Sequence, residues 1–280
     1  MSKKVAVVTG SNKGLGFAIV KALCSNWNGT VYLTSRDQRR GQSACEELKN
    51  LGLSPVFHQL DVTDESSIKK FRDYIEENHQ QIDILVNNAG ILFLKDAKEP
   101  KEFQAEQTVS VNFFALANFT EAMLPLIKNG GTVLNISSSS GHLSRIPSEA
   151  LRQKFISEEL SLQQLKELMN SYVESVKEGR EIEDGWGDSP YVISKVGVNA
   201  YTFMLSRKLA EKGITVNCMH PGYVISDMTR GVGSVTPEQG AQLALKLVLD
   251  PPGTGLYVWH DGTVVPWDGP DPRGFIDKKM

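Results

Sequence analysis

Short runs of apolar and β-branched residues alternate along most of the chain with longer stretches whose apolar residues recur at helical spacing. Most of the short runs are continuously apolar, which is typical of parallel strands covered by helices on both faces. The pattern predicts an α/β fold with a Rossmann-type, doubly wound sheet of seven parallel strands. Those strands are predicted at residues 5–8, 31–34, 56–60, 84–86, 133–136, 215–219 and 256–259.

Helices are predicted between the strands, and capping residues support several of their starts. Thr63 and Asp64 precede one helix, and Thr236 precedes another that begins at Pro237. No linker, low-complexity stretch or internal repeat interrupts the sequence, so we expect one domain over residues 1–280. The predicted helices cover residues 16–25, 41–50, 65–78, 102–126, 191–212 and 237–249.

One segment, at about residues 147–187, has no strand signal and departs from this alternation. Its apolar residues recur at helical spacing, while charged residues occupy other positions. The pattern predicts an inserted helix that packs one apolar face on its own domain; a helix that binds a partner protein is the alternative. The apolar positions are Leu162, Leu165, Leu168, Met169, Tyr172, Val173 and Val176.

The composition is that of an ordinary soluble globular protein, with 40% hydrophobic and 22% charged residues and a formal net charge of −3. No basic excess or cluster indicates nucleic acid as a partner. No run of about 18 apolar residues suggests a membrane span, and the apolar stretch at residues 5–8 is too short for a signal-peptide core. We therefore expect neither a nucleic-acid nor a membrane partner.

Three cysteines, Cys24, Cys45 and Cys218, lack metal-ligand spacing and leave one unpaired in any disulfide scheme. Buried, reduced thiols fit a reducing compartment, so a cytoplasmic location is predicted. The five histidines also lack ligand spacing, and no metal site is predicted. They are His58, His79, His142, His220 and His260.

A glycine-rich string follows the first strand immediately and begins the first helix. Glycines there allow a sharp turn, the approach of a phosphate to the backbone, and close packing of helix on strand. The free N–H groups at the start of that helix would bind a pyrophosphate. The sequence therefore predicts a dinucleotide site that includes Gly10, Asn12, Lys13, Gly14, Leu15 and Gly16.

The end of the second strand decides which nicotinamide cofactor fits. An acidic side chain there would bind the ribose 2′-hydroxyl and repel a 2′-phosphate. The chain has Arg36 instead, and Lys13 lies in the glycine-rich string, so two cations favour NADPH or NADP⁺. Asp37 follows directly and keeps NAD open as an alternative, and Lys13 alone could be an ordinary surface charge.

Five motifs, in order and at the ends of predicted strands, resemble those of the short-chain dehydrogenase/reductase family. The first is the Gly-x3-Gly-x-Gly spacing preceded by Thr9. The others are Asn87-Asn88-Ala89-Gly90, Asn135-Ile136-Ser137-Ser138, Tyr191-x3-Lys195 and Pro221-Gly222. The resemblance implies that Asp61 and Val62 contact the adenine and that Asn88, Ala89, Gly90, Pro221, Gly222 and Val224 line the cofactor site. Asp61 could equally be a turn residue.

A catalytic set follows from the helical spacing and from this resemblance. Tyr191 and Lys195 are four residues apart and therefore share one face of a helix. The ammonium of Lys195 would make the tyrosine hydroxyl, whose ordinary pKa is about 10, a better acid. The resemblance implies that Tyr191 donates a proton to the substrate oxygen, that Ser138 hydrogen bonds to that oxygen, and that Asn112 completes a proton relay through water. Ser137 competes with Ser138 for its role, and Asn112 alone would be an ordinary polar residue of a helix.

The number of positions between Ser138 and Tyr191 indicates which branch of the family the chain resembles. Fifty-three positions separate Ser138 from Tyr191, and the inserted helix lies between them, as in the carbonyl reductase branch of the family. That resemblance implies broad reduction of aldehydes, ketones and quinones. It also implies a monomer, because the insertion covers a face that simpler relatives use to pair. A reductase dedicated to one steroid, prostaglandin or terpenoid is the alternative, followed by a non-catalytic module that senses NADPH.

The substrate side of the site departs from the animal members of that branch. Pro190 precedes the tyrosine where a small residue is usual, and a proline is compatible with the first turn of a helix. His220 occupies the position of a cysteine in those enzymes, and Tyr223 occupies the position of a tryptophan. We expect the small-molecule carbonyl substrate to contact Ser138, Tyr191, Tyr223 and Met228. Residues 261–280 are expected to be irregular chain that closes over the site.

Overall fold

Seven parallel strands form one sheet at the centre of the protein, in a computed structural model that describes residues 4–271. Their order across the sheet is β3-β2-β1-β4-β5-β6-β7. The α/β fold predicted from the hydrophobic pattern is thereby confirmed. The strands are β1 (Val5–Val8), β2 (Thr30–Ser35), β3 (Val56–Gln59), β4 (Ile82–Asn87), β5 (Ile127–Ile136), β6 (Thr215–His220) and β7 (Tyr257–Trp259).

Helices cover both faces of this sheet because most of the strands carry buried side chains on both sides. One apolar cluster joins the sheet to α1, α2 and α9, and the other joins it to the remaining helices. The helices are α1 (Gly14–Asn26), α2 (Gln38–Asn50), α3 (Glu65–Asn78), α4 (Lys101–Val109), α5 (Leu116–Met123), α6 (Glu149–Ile156), α7 (Leu162–Lys177), α8 (Pro190–Lys208) and α9 (Pro237–Leu249).

The order in which strands are added to the sheet changes direction between β1 and β4, which are parallel neighbours at its centre. From β1 the chain proceeds to β2 on one side, and from β4 it proceeds to β5 on the other side. Loops leaving the two strands therefore diverge and leave a crevice at their carboxyl ends. In open α/β sheets this crevice is where ligands bind.

The insertion contains two helices, so the prediction of one inserted helix was wrong in number. Helix α7 buries the face that was predicted, including Leu165, Met169 and Tyr172. Helix α6 precedes it. The hydrophobic pattern did not predict this helix, because it is eight residues long and buries only Leu151 and Phe155. A single pair of apolar residues four positions apart is too little to define a helical period.

Helix α7 packs so closely on α8 that a side chain larger than hydrogen at the crossing would require Met169 and Phe113 to shift. A Cβ atom at Gly197 would lie 2.8 Å from the Sδ atom of Met169 and 3.0 Å from the Phe113 ring. Helix α8 buries Val192, Ile193 and most of its other side chains on all sides, since it is enclosed by the sheet and by neighbouring helices.

The long helix predicted at residues 102–126 is interrupted. A π-helical stretch, Ser110–Ala115, separates α4 from α5, and a 3₁₀ turn ends the run at Leu126. The stretch from Lys101 to Leu126 is long enough to span a membrane, and its most apolar 18-residue window has a mean hydropathy of 1.2. However, 56% of its most apolar window is buried inside the protein, as expected of a core helix.

The chain after β7 returns to the body of the protein. The Trp267 ring stacks on Phe203 with 5.1 Å between centroids, and its indole N–H donates to the Gly141 carbonyl at 2.7 Å. Val264 forms an isolated antiparallel bridge with Val258. The segment predicted at residues 261–280 is described only as far as Asp271; its last residues, 272–280, lie outside the described part, as do residues 1–3.

Candidate active site

Two loops at the carboxyl ends of β1 and β4 are bound to each other by side chains of Thr9 and Asn88. The Thr9 hydroxyl accepts the backbone N–H of Asn88 at 2.9 Å and that of Ala89 at 3.1 Å. The Asn88 side-chain amide donates to the carbonyls of Thr9 (2.9 Å) and Gly10 (3.0 Å). These four hydrogen bonds fix the glycine-rich loop against the loop after β4.

Two glycines of that loop are required by geometry. Gly10 has φ +59°, and a Cβ atom there would lie 2.9 Å from the Cα atom of Ala89. At Gly16 a Cβ atom would lie 2.4 Å from the Asn88 amide nitrogen. An alanine at either position would push the two loops apart.

Helix α1 begins at Gly14, within the glycine-rich string at the carboxyl end of β1. Its N-cap residue, Lys13, makes no side-chain cap, and the first turn contains no acidic residue. Uncapped N–H groups and the positive end of a helix dipole attract an anion. The cradle thus has the donors and the open backbone that a pyrophosphate group needs.

The residues predicted to select the cofactor lie around the end of β2. Ser11 and Thr34 exchange backbone and hydroxyl hydrogen bonds that hold the glycine-rich loop against this strand. Arg36, two residues after Thr34, is exposed. Lys13, unlike Arg36, is engaged in an ion pair: its ammonium lies 2.7 Å from the carboxylate of Asp227.

Asp61 makes a local turn at the end of β3. One of its carboxylate oxygens accepts the backbone N–H of Thr63 at 2.9 Å and the hydroxyl of the same residue at 2.6 Å. This is the turn role that we considered as the alternative for Asp61. It does not conflict with an adenine contact, because an aspartate has a second oxygen and further lone pairs.

Ser138 and Tyr191 are brought together although 53 positions separate them in sequence. Ser138 follows β5, and Tyr191 is the second residue of α8, whose first residue is Pro190 and whose cap is Ser189. Burial raises the pKa of the Tyr191 hydroxyl, while a hydrogen bond with the Ser138 side chain opposes that rise. Proline fits at this first helical position because its missing N–H has no partner to lose there.

Of the two competing serines, only Ser138 has this contact with the tyrosine. The Ser138 hydroxyl also accepts the backbone N–H of Ser140 at 3.1 Å. The Tyr257 hydroxyl holds the backbone carbonyl of Ser138 at 2.6 Å. The hydroxyl of Ser137 is instead enclosed and has no hydrogen-bond partner, and it lies 2.7 Å from where a Cβ atom at Gly141 would be.

Lys195 is buried beneath Tyr191, one helical turn further along α8. Its ammonium donates to the carbonyl of Ile136 at 2.8 Å and lies 5.7 Å from the centre of the Tyr191 ring. Burial lowers the pKa of Lys195 to about 8. The expectation that this ammonium makes Tyr191 more acidic therefore meets an opposing effect, because burial disfavours the charged form of both side chains.

Asn112 lies in the π-helical stretch, the part of the α4–α5 run that departs from regular α-helix. Its side-chain amide both accepts from and donates to the backbone of Ile91, at 2.8 and 2.9 Å. It also donates to the Ser194 hydroxyl at 3.1 Å, which in turn donates to the carbonyl of Tyr191 at 2.8 Å. The network connects the loop after β4 to the start of α8. π-Helical turns are frequent at functional sites.

The rim of the crevice is formed by the segment 221–235, which follows β6. Gly222 has φ +86°, and Val224 pairs with Val235 in an isolated bridge. Tyr223 and Met228, predicted to contact substrate, are 52% and 39% exposed, which leaves apolar surface at the rim. Below them the ring of His220 lies 5.5 Å from Trp259 and 5.6 Å from His260.

Several residues that shape the site were not singled out for it from the sequence. They are Thr9, Ser194, Asp227 and Tyr257. The sequence contains an indication for Thr9, since this residue begins the glycine-rich motif. It contains no indication for Tyr257 or Ser194, because their contacts depend on which strands and helices become neighbours. Within residues 4–271, no group of three or more His, Cys, Asp or Glu side chains could hold a metal ion.

Comparison with known proteins identifies the class. The short chain dehydrogenase profile matches residues 4–150 and 179–236, which contain the glycine-rich loop, Ser138, Tyr191 and Lys195. The chain belongs to the short-chain dehydrogenase family. The unmatched residues 151–178 contain α7, so the insertion is a departure from the general family pattern.

Among individual relatives, the chain is similar to animal carbonyl reductases. It is 44% identical to carbonyl reductase (NADPH) 3 of Mus musculus over 255 residues, which cover 89% of this chain and 92% of that protein. It is 42% identical to carbonyl reductase (NADPH) 1 of the same species, covering 95% and 99%. Among solved structures, salutaridine reductase from Papaver somniferum superposes with a TM-score of 0.84 at 32% identity, covering 91% of this chain and 99% of that one.

The lowered pKa of Lys195 gives a prediction for the cofactor-free protein. With lysine labelled at the side-chain nitrogen, one ¹⁵N resonance should titrate with a midpoint near pH 8, while ordinary lysines stay charged to about pH 10. The ammonium should be present below that midpoint and lost above it. Lys195→Arg should remove this resonance and so assign it. Titration of every lysine above pH 9.5 would contradict the assignment.

Proposed function

We propose that this protein is an NADPH-dependent carbonyl reductase that converts aldehydes, ketones and quinones to alcohols or hydroquinones. One observation carries the proposal. The glycine-rich phosphate cradle lies between β1 and β4, where the strand order changes direction, and beside it lie Ser138, Tyr191 and Lys195. Membership of the short-chain dehydrogenase family and similarity to proteins named as NADPH carbonyl reductases support it.

The residues present fit a dinucleotide. The space at Gly10 and Gly16 that a Cβ atom would block, and the uncapped start of α1, suit a pyrophosphate. NADPH, when bound, supplies a hydride to the carbonyl carbon. The residues that we assign to its site are Gly10, Asn12, Lys13, Gly14, Leu15, Gly16, Arg36, Asp61, Val62, Asn88, Ala89, Gly90, Tyr191, Lys195, Pro221, Gly222 and Val224.

Tyr191 provides the proton that completes the reduction. The Tyr191 O–H bond breaks and the proton goes to the carbonyl oxygen, which becomes the alcohol oxygen. Ser138 donates a hydrogen bond to that oxygen as negative charge develops on it. The ammonium of Lys195 stabilises the tyrosinate that remains, and Asn112 belongs to the relay through which a proton returns to it.

The rim of the site favours apolar substrates. Tyr223 and Met228 present exposed apolar surface beside the crevice, and Ile225 is also exposed. Apolar surface recognises a carbonyl compound by burial of its carbon skeleton, which permits a broad range. A dedicated reductase of one natural ketone is the second candidate, favoured by the fold similarity to a protein named for one compound, salutaridine.

We also propose that the chain acts as one domain and as a cytoplasmic monomer. Helix α7 lies on α4 and α8 and buries Leu165, Met169 and Tyr172 against them. The faces of α4 and α8 on which a second copy would otherwise pack are therefore covered by the insertion of the same chain.

Replacement of the proton donor tests the mechanism. Tyr191→Phe should lower kcat with menadione or isatin by at least about 100-fold, because the ring remains while the acid is lost. Its dissociation constant for NADPH should change little, which separates lost chemistry from lost folding. An unchanged rate would contradict the role of Tyr191. Tight binding of NADPH by the wild-type protein with no turnover of any carbonyl would favour a sensor.

Replacement of Arg36 tests the choice of cofactor. Arg36→Asp removes a cation from the end of β2 and adds a charge that repels a 2′-phosphate. The dissociation constant for NADPH should rise by at least about tenfold, whereas that for NADH should change by less than about twofold. Arg39→Asp, three residues further along, makes the same change of charge and serves as the control. Equal weakening of both cofactors would contradict the role of Arg36.

The oligomeric state has a direct test. The 30.9 kDa chain should elute with the mass of one copy in size-exclusion chromatography with light scattering, over a wide range of concentrations. A dimer that persists on dilution would contradict the proposal that α7 covers the pairing face.

A further inference from the structure

The ion pair between Lys13 and Asp227 links the two sides of the cofactor crevice. Lys13 is the N-cap of α1, and Asp227 belongs to the segment 221–235 on the opposite rim. The two charged atoms are 2.7 Å apart, and both side chains are largely exposed. The Lys13 ammonium lowers the pKa of the Asp227 carboxyl, so this partner is an anion at neutral pH.

The position of Asp227 is set by the internal structure of its own turn. Ser226 and Thr229 form a reciprocal cap around the short 3₁₀ helix Asp227–Thr229. The Thr229 hydroxyl also donates to the carbonyl of Val224 at 2.9 Å. The side chain of Ser226 faces the glycine-rich loop, with its Cβ atom 3.8 Å from where a Cβ atom at Gly14 would be. The turn therefore lies directly beside the cradle.

A second ion pair connects the same segment to the rest of the crevice. Arg230 contacts Asp96, in the segment between β4 and α4, at 2.6 Å, and both side chains are again exposed. This pair resembles the first in exposure and in attachment to the segment 221–235. It differs in that neither Arg230 nor Asp96 is assigned to the cofactor.

We propose that Asp227 competes with the 2′-phosphate of the cofactor for Lys13 and so determines how strongly the protein prefers NADPH over NADH. The inference rests on the proposed function, in which Lys13 binds that phosphate. Lys13 cannot give its full charge to two anions, and an exposed ion pair is weak enough to exchange. NADH has no 2′-phosphate and leaves the pair with Asp227 intact, whereas NADPH must displace the carboxylate.

The pyrophosphate offers a competing account, because any acidic residue beside the cradle would repel it. That repulsion acts on NADH and NADPH alike, since both contain the same pyrophosphate. Competition for Lys13 acts on NADPH alone and requires the lysine. The ratio of the two affinities therefore distinguishes the accounts.

The test measures dissociation constants of NADPH and NADH, by cofactor fluorescence, for the wild-type protein and for Asp227→Asn. We expect NADPH to bind about two- to fivefold more tightly to the variant, the range of one exposed ion pair, and NADH to bind equally well. Asp96→Asn is the matched control, because it removes the same charge from the same crevice without touching Lys13. It should leave the ratio unchanged.

A double-variant cycle with Lys13→Met completes the experiment. In the Lys13→Met background, Asp227→Asn should no longer improve the binding of NADPH. The inference fails if Asp227→Asn tightens both cofactors equally, if Asp96→Asn has the same effect, or if the effect persists without Lys13. If Lys13→Met weakens NADPH while Asp227→Asn changes nothing, only the inference fails. If Lys13→Met leaves NADPH binding unchanged, the assignment of Lys13 under the proposed function fails as well.

Discussion

The hydrogen bonds between Thr9 and Asn88 hold together the two loops on which the site depends. Strands β1 and β4 pair at the centre of the sheet. The loop after β1 leads to one side of the sheet and the loop after β4 leads to the other, so the strand pairing alone does not keep the two loops in contact. Thr9 accepts two backbone N–H groups of the β4 loop, and Asn88 donates to two carbonyls of the β1 loop. Partly buried polar groups of this kind are costly to leave unpaired, which fixes their partners.

The proposed catalytic groups depend on a second constraint, the placement of α8. This helix is enclosed on nearly all sides, and a side chain at Gly197 would require Met169 of α7 to shift. The insertion thus lies between Ser138 and Tyr191 in sequence, yet it packs against the helix that returns Tyr191 to Ser138. An addition between the two proposed catalytic residues is tolerated because its own apolar face packs against the helix that positions Tyr191.

Much of the fold could be predicted from the sequence, because the evidence for it is local. Seven apolar runs separated by helical periods are enough to define a doubly wound sheet, and the glycine spacing is enough to place a phosphate cradle. Helix α6 was missed because eight residues with two buried apolar side chains carry no measurable period. The π-helical stretch was missed because it contains no proline or glycine that would mark an interruption of the helical run.

The site was less predictable where contacts cross between elements. The pair of Lys13 with Asp227 joins residues 214 positions apart, and no spacing rule relates them. The contact of Tyr257 with Ser138 depends on the order of β5, β6 and β7 in the sheet. Sequence reasoning identified Lys13 by its charge, but it could not foresee that a carboxylate on the opposite rim would also bind it.

The protonation states at the site follow from burial more than from the pairing of Tyr191 with Lys195. Enclosure disfavours charge on either group, so it raises the pKa of the tyrosine and lowers that of the lysine. For the proposed proton donor the first effect is useful, because the hydroxyl must carry its proton until the carbonyl oxygen takes it. The ammonium of Lys195 donates a hydrogen bond to the carbonyl of Ile136. In the proposed mechanism burial thus keeps the acid protonated, and Lys195 acts mainly on the tyrosinate that remains once the proton has gone.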